Sequence, residues 1–342
     1  METRILEIEV FGSHREVCQE AAALLKKGEI VALPTETVYG LCADAFNPSA
    51  IAKIFAAKER PAHDPLIVHV AGRGMLDGVA TVPPEIDAVF KKLTEEFWPG
   101  PLTIVLPRGP RIPDSITSGL PTVAVRAPVH AVMRGVIKEL GHPLAAPSAN
   151  RFGRISPTTA SAVMTELGGR IPLLVDAGAC RDGLESTIIR ISPTPKKPLI
   201  EILRAGPITK DMLKPFGKVK VLSTKSGTTQ PEVPGQLDSH YAPTTPLLTP
   251  ASPQDFIPEE GKSYALLSYR GDAEDGFLTL HEWAATETLS PGSGKVAEAG
   301  VRFYAMLRRL DEGGYDAIVA EPIPEHGVGL ALNDRLHRAR HR

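Results

Sequence analysis

The chain has 342 residues, of which 42% are hydrophobic and 23% charged, and its formal net charge is −2. The length suits two domains, and the nearly balanced charge excludes a polybasic nucleic-acid binder. No apolar run approaches the roughly 20 residues of a membrane span, and the N-terminus lacks the basic start, apolar run and cleavage site of a signal peptide. We therefore expect a cytoplasmic protein without membrane contact.

The first 215 residues alternate strand-like apolar runs with helical patterns, which predicts an α/β domain with a mixed twisted sheet. Ser13 and Glu16 form a predicted capping box at the start of the first helix, and Gly28 ends that helix. In chain order the predicted elements are strand 5–10, helix 13–27, strand 29–33, helix 48–58, strand 66–70, helix 84–97, strand 102–106, helix 129–140, strand 144–146, helix 158–167, strand 173–176 and a closing pair of strands at 186–191 and 199–203.

Residues 216–250 change in character, because Ser, Thr, Gly, Pro and Gln dominate and apolar runs are few. This composition predicts a linker between a domain at 1–215 and a smaller one at 251–342. In the smaller domain the α/β pattern resumes. Its predicted elements are strand 265–268, helix 294–311, strand 317–320 and helix 328–340.

Residues 34–40, with the sequence PTETVYG, directly follow a predicted strand. Ligands of open α/β sheets bind at this edge, where strands end. Two threonines, a glutamate and a tyrosine offer hydroxyl and carboxylate partners for a small polar substrate. A turn whose hydroxyl groups satisfy its own backbone is the alternative.

Two cations, Lys58 and Arg60, precede Pro61 at the end of a predicted helix. Cations at a helix C-terminus commonly complement the helix dipole. Their spacing also allows both, as exposed side chains, to turn toward one phosphate group, the lysine as a point charge and the arginine as a planar fork.

A lone arginine and two polar residues mark the ends of later strands. Arg126 stands in an apolar strand, where a charge is costly to bury without an anionic partner. A substrate carboxylate would supply that partner, and so would an internal Asp or Glu. Ser148 and Asn150 close another strand, at the edge where Thr35 would also sit. No GxSxG elbow and no recognisable triad spacing support a serine nucleophile.

The sequence offers no recognisable metal site or phosphate loop. Residues 292–295, GSGK, lack the first glycine and the Ser/Thr of a P-loop. His337 and His341 lie four apart on a predicted helix, but the arginines beside them indicate a solvated basic tail. The cysteines fit no zinc or CxxC spacing, so buried or semi-buried free thiols in a reducing compartment are expected. They are Cys18, Cys42 and Cys180.

Taken together, these segments resemble the L-threonylcarbamoyladenylate synthase family, which shares the YrdC-like domain. The motifs occur in the family's order, and the likeness spans nearly the whole chain. Cys42 departs from the pattern, since the family usually has glycine after YGL, and we expect a packing adjustment there. The segments are PTETVYGL (34–41), KERP (58–61), DPLIVHV (64–70), WPGPLTIVL (98–106), TVAVRAP (122–128), APSAN (146–150), LESTI (184–188), LRAGPI (203–208), PEVPGQLDSHYAP (231–243), RFYAMLRRLD (302–311) and GLALNDRLHRA (329–339).

The resemblance implies a mixed sheet with a wide basic concave face and a small Rossmann-like C-terminal domain. It implies a nucleotidyltransferase that condenses L-threonine, bicarbonate and ATP to threonylcarbamoyl-AMP and pyrophosphate, assisted by Mg²⁺. The downstream tRNA threonylcarbamoyl-transfer machinery would use the product. Because no residue stands out as an acid–base catalyst, positioning and electrostatics are expected to dominate catalysis.

The resemblance also implies roles for individual residues. It assigns catalysis to Lys58, Arg60, Ser148 and Asn150. It assigns ATP binding to Lys58, Arg60, Asp64, Thr122, Ser148, Ser156, Arg204 and Tyr241. It assigns threonine binding to Thr35, His69, Arg126, Ala146 and Ser186, with Arg126 pairing the threonine carboxylate.

The segment around Tyr241 is not what a featureless spacer needs, because an aromatic residue stands between a histidine and two nearby prolines. We expect it to fold over the mouth of the first domain's cleft as a lid that touches ATP and is mobile without ligand. Packing on the second domain is the alternative.

Two other functions stay open. A carbamoyl-adenylate-forming carbamoyltransferase on the same fold is the first, although such proteins usually carry zinc-binding cysteine clusters and this chain has none. A double-stranded-RNA-binding module is the second, because a basic concave sheet suits such RNA. Weak, salt-sensitive RNA binding is also compatible with the synthase reaction.

Overall fold

Two sheets organise the chain, a mixed sheet built from the first two thirds and a parallel sheet built from the last third. The structure is a computed structural model, and it describes residues 2–8, 14–222, 231–237 and 240–341. Within these ranges, no helix is both long enough and apolar enough to cross a membrane.

The elements follow the apolar periodicity of the sequence. Strands β1 to β11 are Arg4–Glu7, Val31–Leu33, Gly40–Asp44, Ile67–His69, Leu102–Pro107, Thr122–Arg126, Leu144–Ala145, Leu173–Asp176, Thr187–Ser192, Leu199–Arg204 and Lys218–Val221. Strands β12 to β15 are Leu247–Leu248, Tyr264–Ser268, Ala285–Thr288 and Ala317–Ala320. Helices α1 to α9 are Arg15–Lys26, Pro48–Lys58, Pro84–Phe97, Asp114–Thr117, Ala131–Leu140, Ala160–Leu167, Lys210–Leu213, Val296–Asp311 and Gly329–Ala339.

The first sheet brings the predicted ligand residues to one edge. Its strand order is β1-β8-β2-β3-β7-β4-β6-β5-β9-β10-β11, with parallel and antiparallel pairs. Because β4 and β6 run parallel, their carboxyl ends meet, and the register places His69 beside Arg126. On the other side of β6, the antiparallel pairing with β5 places Thr103 opposite Arg126.

The two faces of this sheet are covered differently. On one face, Ile104 and Val125 pack in the same core cluster as the apolar side of α3, which includes Phe90. On the other face, Val105 packs in a cluster with Val233, from the segment that connects the two sheets. Side chains of a strand alternate between faces, so the connecting segment covers the face opposite α3.

The second sheet has the order β12-β15-β13-β14, and all its neighbouring strands are parallel. One of its faces packs on α8 and α9 in a cluster that includes Phe303 and Leu336. The same cluster contains Ile155, Leu184 and Tyr241 from earlier in the chain. The helical side of the second sheet therefore packs directly against the first part of the protein.

The predicted α/β fold, with a mixed first sheet and a small second sheet, is confirmed. Four strands, β3, β11, β12 and β14, are absent from the prediction, and they have two to five residues each, too few for a clear alternation. Two of them lie within the predicted linker: β11 pairs with β10, and β12 pairs with β15. The division of the chain at residues 215 and 250 stays a prediction.

The end of the first helix agrees with the sequence prediction, and its start can be compared only in part. Gly28 follows its last turn with a φ of +76°, and its N–H donates to the carbonyl of Leu25 at 2.9 Å, so the predicted glycine stop is confirmed. The helix itself begins at Arg15, with His14 at the N-cap. The predicted capping residue Ser13 lies outside the described residues.

A glycine pair tests how tightly the first part of the chain packs on α8. Gly183 has a φ of +71°, and a Cβ there would lie 2.6 Å from the Cα and the carbonyl oxygen of Val301. Gly178 has a nearly equal φ of +77°, but a Cβ there would meet no atom within 4 Å. The two positions share the left-handed backbone and differ only in the contact with the helix.

We predict that Gly178→Ala lowers the free energy of unfolding by about 1–2 kcal/mol, the cost of a left-handed alanine. Gly183→Ala should lower the free energy of unfolding by about 1–3 kcal/mol more than Gly178→Ala, because the added methyl group overpacks the contact with α8 and must displace that helix. Urea unfolding of the two variants measures the difference. Equal losses would show that the contact with α8 contributes nothing.

Candidate active site

A cleft opens at the carboxyl ends of β4 and β6, the place where ligands of open α/β sheets bind. Nine predicted ligand residues line it: Thr35, Arg60, His69, Arg126, Ala146, Ser148, Ser186, Arg204 and Tyr241. The other lining residues are Thr37, Val38, Gly40, Ile67, Pro147, Glu185, Pro234, Gly235 and His240.

Thr35 begins the turn that follows β2. Its hydroxyl donates to the carbonyl of Val38 at 2.6 Å and accepts from the N–H groups of Thr37 and Val38 at 3.1 and 3.2 Å. The turn whose hydroxyl satisfies its own backbone, one of the two alternatives for this segment, is therefore present. The side chain also lines the cleft, and its role in binding a substrate stays a prediction.

Arg126 has an internal partner. Its terminal nitrogen lies 2.6 Å from a carboxylate oxygen of Glu36, and both side chains are almost fully buried. It also donates to the hydroxyl of Thr37 at 2.9 Å and to the carbonyl of Gly100 at 3.2 Å. Two guanidinium nitrogens are thus hydrogen-bonded, and the third contacts Glu36 as an ion pair without hydrogen-bond geometry. Both terminal nitrogens keep N–H groups for a ligand.

Glu36 was not among the predicted site residues, although it stands in the PTETVYG segment. Burial alone raises the pKa of Glu36, but the charge of Arg126 and backbone hydrogen bonds outweigh burial and bring this pKa below its ordinary value. The carboxylate is therefore ionised. Of the two partners that the sequence left open for Arg126, the structure supplies the internal one.

His69 ends β4 beside Arg126 and is buried. Burial, together with the charge of Arg126, lowers the pKa of His69 to about 3, so the imidazole is neutral at physiological pH. Its Nδ1 has no hydrogen-bond partner among the described residues. A neutral imidazole at the cleft wall can donate to a ligand or accept from it without adding charge.

Lys58 and Arg60 do not behave as the exposed cations that their spacing suggested, since they are 1% and 8% exposed. The Lys58 ammonium donates to the carbonyl of Ser148 at 2.6 Å and to that of Asn150. Arg60 lies 2.8 Å from the carboxylate of Asp64 and donates to the carbonyl of Pro65 at 2.8 Å. Lys58 and Asp64 thus hold loops behind the cleft, and Arg60 lines it.

Arg204, at the end of β10, ties three segments together. It donates to the carbonyl of Ser186 at 3.0 Å and to its hydroxyl at 3.1 Å. It also donates to the carbonyl of Pro234 in the connecting segment at 3.3 Å. The hydroxyl of Ser186 is 2.7 Å from that of Thr103, so the serine is fixed from both sides.

The carboxylate of Glu185, in the cleft wall, is bound from the second sheet's helices. Tyr304 of α8 donates its hydroxyl at 2.9 Å, and Arg335 of α9 lies at 3.2 Å with no exposed surface. Burial alone raises the pKa of Glu185, but the charges of Arg335 and Arg204 outweigh it and lower this pKa. Neither Glu185 nor Arg335 was among the predicted site residues. An arginine on the buried face of α9, one residue before Leu336, was the available signal.

The connecting segment crosses the cleft at Tyr241, which is 1% exposed. Its ring lies 6.1 Å from the ring of Tyr304 and 5.1 Å from the guanidinium of Arg335. The N–H of Ala242 donates to the carbonyl of Gly153 at 2.7 Å, which fastens the segment to the first part of the chain. Packing on the second domain and lining the cleft, the two placements considered from sequence, therefore occur together.

Comparison with known proteins gives a consistent result along the chain. Residues 23–206 match the Sua5, YciO and YrdC family, described as "Telomere recombination", and residues 208–340 match the family described as "Threonylcarbamoyl-AMP synthase, C-terminal domain". The threonylcarbamoyl-AMP synthase of Pyrococcus abyssi is 36% identical over 93% of this chain and 92% of its own, and that of Bacillus subtilis is 39% identical over 94% and 92%. The chain belongs to the threonylcarbamoyl-AMP synthase family.

The fold agrees with this family assignment. The crystal structure of P. abyssi Sua5 complexed with L-threonine superposes with a TM-score of 0.87 at 34% identity, covering 99% of this chain and 98% of that one. Escherichia coli YciO, at 18% identity and a TM-score of 0.51, shares the fold over 63% of the chain. The predicted membership of the threonylcarbamoyl-AMP synthase family is confirmed.

Five residues with predicted family roles do not line the cleft. Two of them are Lys58, which donates to loop carbonyls, and Asp64, which is paired with Arg60. Asn150 donates its amide to the carbonyls of Arg151 and Arg154, at 2.7 and 2.9 Å, while its Oδ1 has no hydrogen-bond partner in the described part of the chain. The other two are Ser156, which is buried, and Thr122, at the opposite end of β6 from Arg126.

The cysteine at the position where the family usually has glycine does not line the cleft, although its sulfur is 3.4 Å from the carbonyl of Gly40, which does. Cys42 is fully buried in β3, and its sulfur is 3.9 Å from the sulfur of Met133 in α5. The thiol packs in the core, and the packing adjustment relative to the family glycine stays a prediction. All three cysteines are free and buried, and among the described residues no group of three His, Cys, Asp or Glu side chains could hold a metal ion.

The Glu185–Arg335 pair yields a prediction about stability. Arg335→Gln leaves a buried carboxylate without its cation, so the free energy of unfolding should fall by about 3–5 kcal/mol at pH 7. The folded-state pKa of Glu185 is depressed, so the stabilisation is present above the unfolded pKa of about 4.3 and is lost as pH falls below it. In the variant, burial acts without the charge of Arg335 and should raise the pKa of Glu185, so the variant recovers stability by protonation and the difference from wild type should shrink toward pH 4.

Urea unfolding at pH 7 and pH 4 checks this expectation. Arg309→Gln is the matched control, because Arg309 lies on α8 in a pair with Glu287 and is 64% exposed. An exposed pair contributes at most about 1 kcal/mol. A pH-independent loss in Arg335→Gln would contradict the electrostatic explanation.

Proposed function

We propose that the protein condenses L-threonine, bicarbonate and ATP to threonylcarbamoyl-AMP and pyrophosphate, the first stage of tRNA threonylcarbamoyl modification. The observation that carries the proposal is the convergence of three buried arginines, Arg60, Arg126 and Arg204, on one cleft. A substrate set with a carboxylate and a triphosphate needs several cations at one place. Because the product would be used on tRNA, the proposal places the protein in the cytoplasm.

Threonine fits the side of the cleft formed by β4 and β6. Its carboxylate would accept the free N–H groups of Arg126, while Glu36 keeps that guanidinium in place. The neutral His69 and the hydroxyl of Ser186 offer polar contacts to the rest of the amino acid, and Ala146 offers an apolar contact for the methyl group. Thr35 would contribute through the turn that it organises.

The phosphates of ATP fit the side formed by Arg60 and Arg204, beside Ser148. The threonine amine takes up bicarbonate with loss of water, and an oxygen of the resulting carbamate attacks the α-phosphorus. The bond from that phosphorus to the departing pyrophosphate breaks as the new P–O bond forms. Fixed cations in a water-poor cleft stabilise the negative charge that develops. Lys58, Asp64 and Asn150 act by holding the surrounding loops.

Mg²⁺ fits this proposal as an ion that enters with ATP. Glu185, which lines the cleft, and Glu36, which contacts the cleft residue Arg126, are both paired with arginines. Mg²⁺ commonly keeps several waters and binds mainly through substrate phosphates, where it neutralises charge. Side chains of the cleft would then contact the nucleotide rather than enclose the metal.

The two alternative functions find less support. A double-stranded-RNA binder needs exposed cations for the phosphate backbone, whereas the arginines of the cleft are at most 8% exposed. A carbamoyltransferase would share the cleft. The full-length similarity to threonylcarbamoyl-AMP synthases favours the synthase reaction over it.

The reaction itself predicts a pattern of dependence. Pyrophosphate release from ATP should require both threonine and bicarbonate, as measured by leaving out each in turn. Serine lacks one methyl group, so its kcat/KM should be about 10–200-fold lower. Turnover without threonine would refute the proposal, and equal use of serine would refute a shaped methyl pocket.

Tyr241 gives a test of the ATP side. Its buried hydroxyl has no hydrogen-bond partner among the described residues, so Tyr241→Phe should leave the melting temperature nearly unchanged. If the hydroxyl contacts ATP, the variant should raise the KM for ATP about tenfold, the value of one hydrogen bond of about 1.4 kcal/mol. Tyr315→Phe, outside the cleft, is the control. An unchanged KM would remove Tyr241 from the ATP site.

A further inference from the structure

A second crevice lies in the last third of the chain, at the carboxyl ends of β13 and β15. The chain passes from β13 to β14 on one side, and α8 then returns it to place β15 on the other side. The ends of β13 and β15 are therefore a topological switch point, where open α/β sheets bind their ligands. Tyr269 and Arg270, which follow β13, line the crevice together with residues 321–325, which follow β15.

Glu321 carries an unsatisfied carboxylate in this crevice. The side chain lines the crevice but is only 3% exposed. One carboxylate oxygen accepts from the hydroxyl of Ser268 at 3.0 Å and from the N–H of Tyr269 at 2.6 Å. The other, Oε1, is buried and has no hydrogen-bond partner in the described part of the chain. Both donors thus bind one oxygen, and among the described residues the carboxylate has no ion pair and its second oxygen no donor, although buried carboxylates are normally paired.

The helix that follows β14 cannot supply the usual anion site of such a sheet. Phosphates bind at helix N-termini because N–H groups and the dipole attract negative charge. At the start of α8, however, the carboxylate of Glu298 accepts from the hydroxyls of Ser290, at 3.0 Å, and Ser293. An internal carboxylate thus occupies the first turn, which explains why the GSGK segment is not a phosphate loop.

The charges that line the crevice favour a cationic ligand. Asp275, Glu321 and Glu325 contribute carboxylates, against the single cation Arg270. Arg270 is already paired with Asp275 at 2.9 Å and with Asp272 at 3.2 Å. A phosphate would therefore meet an excess of negative charge, whereas an ammonium group would meet the free oxygen of Glu321.

We propose that this crevice binds a small aliphatic amine, with its ammonium group on Oε1 of Glu321 and its methylene groups against Phe277 and Ile323. Both apolar side chains line the same crevice. The site is separate from the cleft at β4 and β6, so it would be a second ligand site of the protein. Its occupancy does not depend on the proposed synthase reaction.

Isothermal titration of the full chain with putrescine, without ATP or threonine, tests the site. Butane-1,4-diol has the same chain length without charge and should bind at least about tenfold more weakly. Glu321→Gln keeps an oxygen for Ser268 and Tyr269 and replaces only the free oxygen, so the fold should persist. This variant should lose at least about tenfold in putrescine affinity. Glu312→Gln, an exposed residue after α8, should leave the affinity unchanged.

Amide NMR of the wild-type chain provides a test that does not rely on any variant's folding. Putrescine should shift the resonances of Tyr269, Glu321 and Ile323. Equal binding of the diol, or an undiminished affinity in a folded Glu321→Gln variant, would overturn the proposal. Shifts of these resonances by AMP and not by putrescine would overturn it as well. None of these outcomes bears on the synthase reaction.

Discussion

The buried carboxylate of Glu185 is the point at which the two sheets and their connecting segment meet. A buried carboxylate without a cation is unstable, and its cation here, Arg335, comes from the last helix. Tyr304 donates to the same carboxylate, and Tyr241 packs between Tyr304 and Arg335. Among the described residues, none beyond Tyr241 lines the cleft. The second sheet therefore shapes the cleft through Glu185, without touching the space that a substrate would occupy.

The three arginines of the cleft are held in two different ways. Arg60 and Arg126 are paired with the carboxylates of Asp64 and Glu36. Arg204 instead donates to the carbonyls of Ser186 and Pro234. A carbonyl fixes the direction of a cation through its dipole but leaves the net charge in place. A carboxylate at the same position would fix and neutralise the cation. The positive charge of Arg204 is thus preorganised before ligands arrive, which is what stabilising phosphate oxygens requires.

The parts of the fold that sequence predicted well are those with a continuous pattern. Pro48–Lys58 and Pro84–Phe97 have the predicted bounds, because each has a proline at its start and a regular apolar face. Strand Lys218–Val221 escaped prediction, since its few apolar residues sit in a polar stretch and its pairing with β10 decides its structure. A local sequence pattern therefore predicts long elements with a regular apolar face. It does not predict short strands whose structure is decided by pairing with a distant strand.

In the candidate site, too, some features could be predicted from the sequence and others could not. The residues at strand ends, such as His69 and Arg126, could be placed because the parallel arrangement of strands brings their ends together. The partner of a buried charge could not be derived from the sequence. For Arg126, a substrate carboxylate and an internal Asp or Glu were chemically equivalent possibilities, and in the structure its partner is Glu36. The contact between Glu185 and Arg335 joins residues 150 positions apart, and no local spacing predicts it. Burial of Lys58 likewise depends on carbonyls that lie about 90 positions away.

The closed connecting segment has an energetic consequence for how ligands enter. Opening it must break the hydrogen bond from Ala242 to Gly153 and expose the ring of Tyr241. A lost hydrogen bond costs about 0.5–1.5 kcal/mol, and exposing a large apolar side chain costs about 1.5–3 kcal/mol. The sum of roughly 2–4.5 kcal/mol corresponds to an open population of a few per cent or less. The described residues Tyr241 and Ala242 are packed in place, and the mobility of the segment without ligand stays a prediction. Substrates would enter through a minor open state, and the closed state already excludes water from the reacting groups.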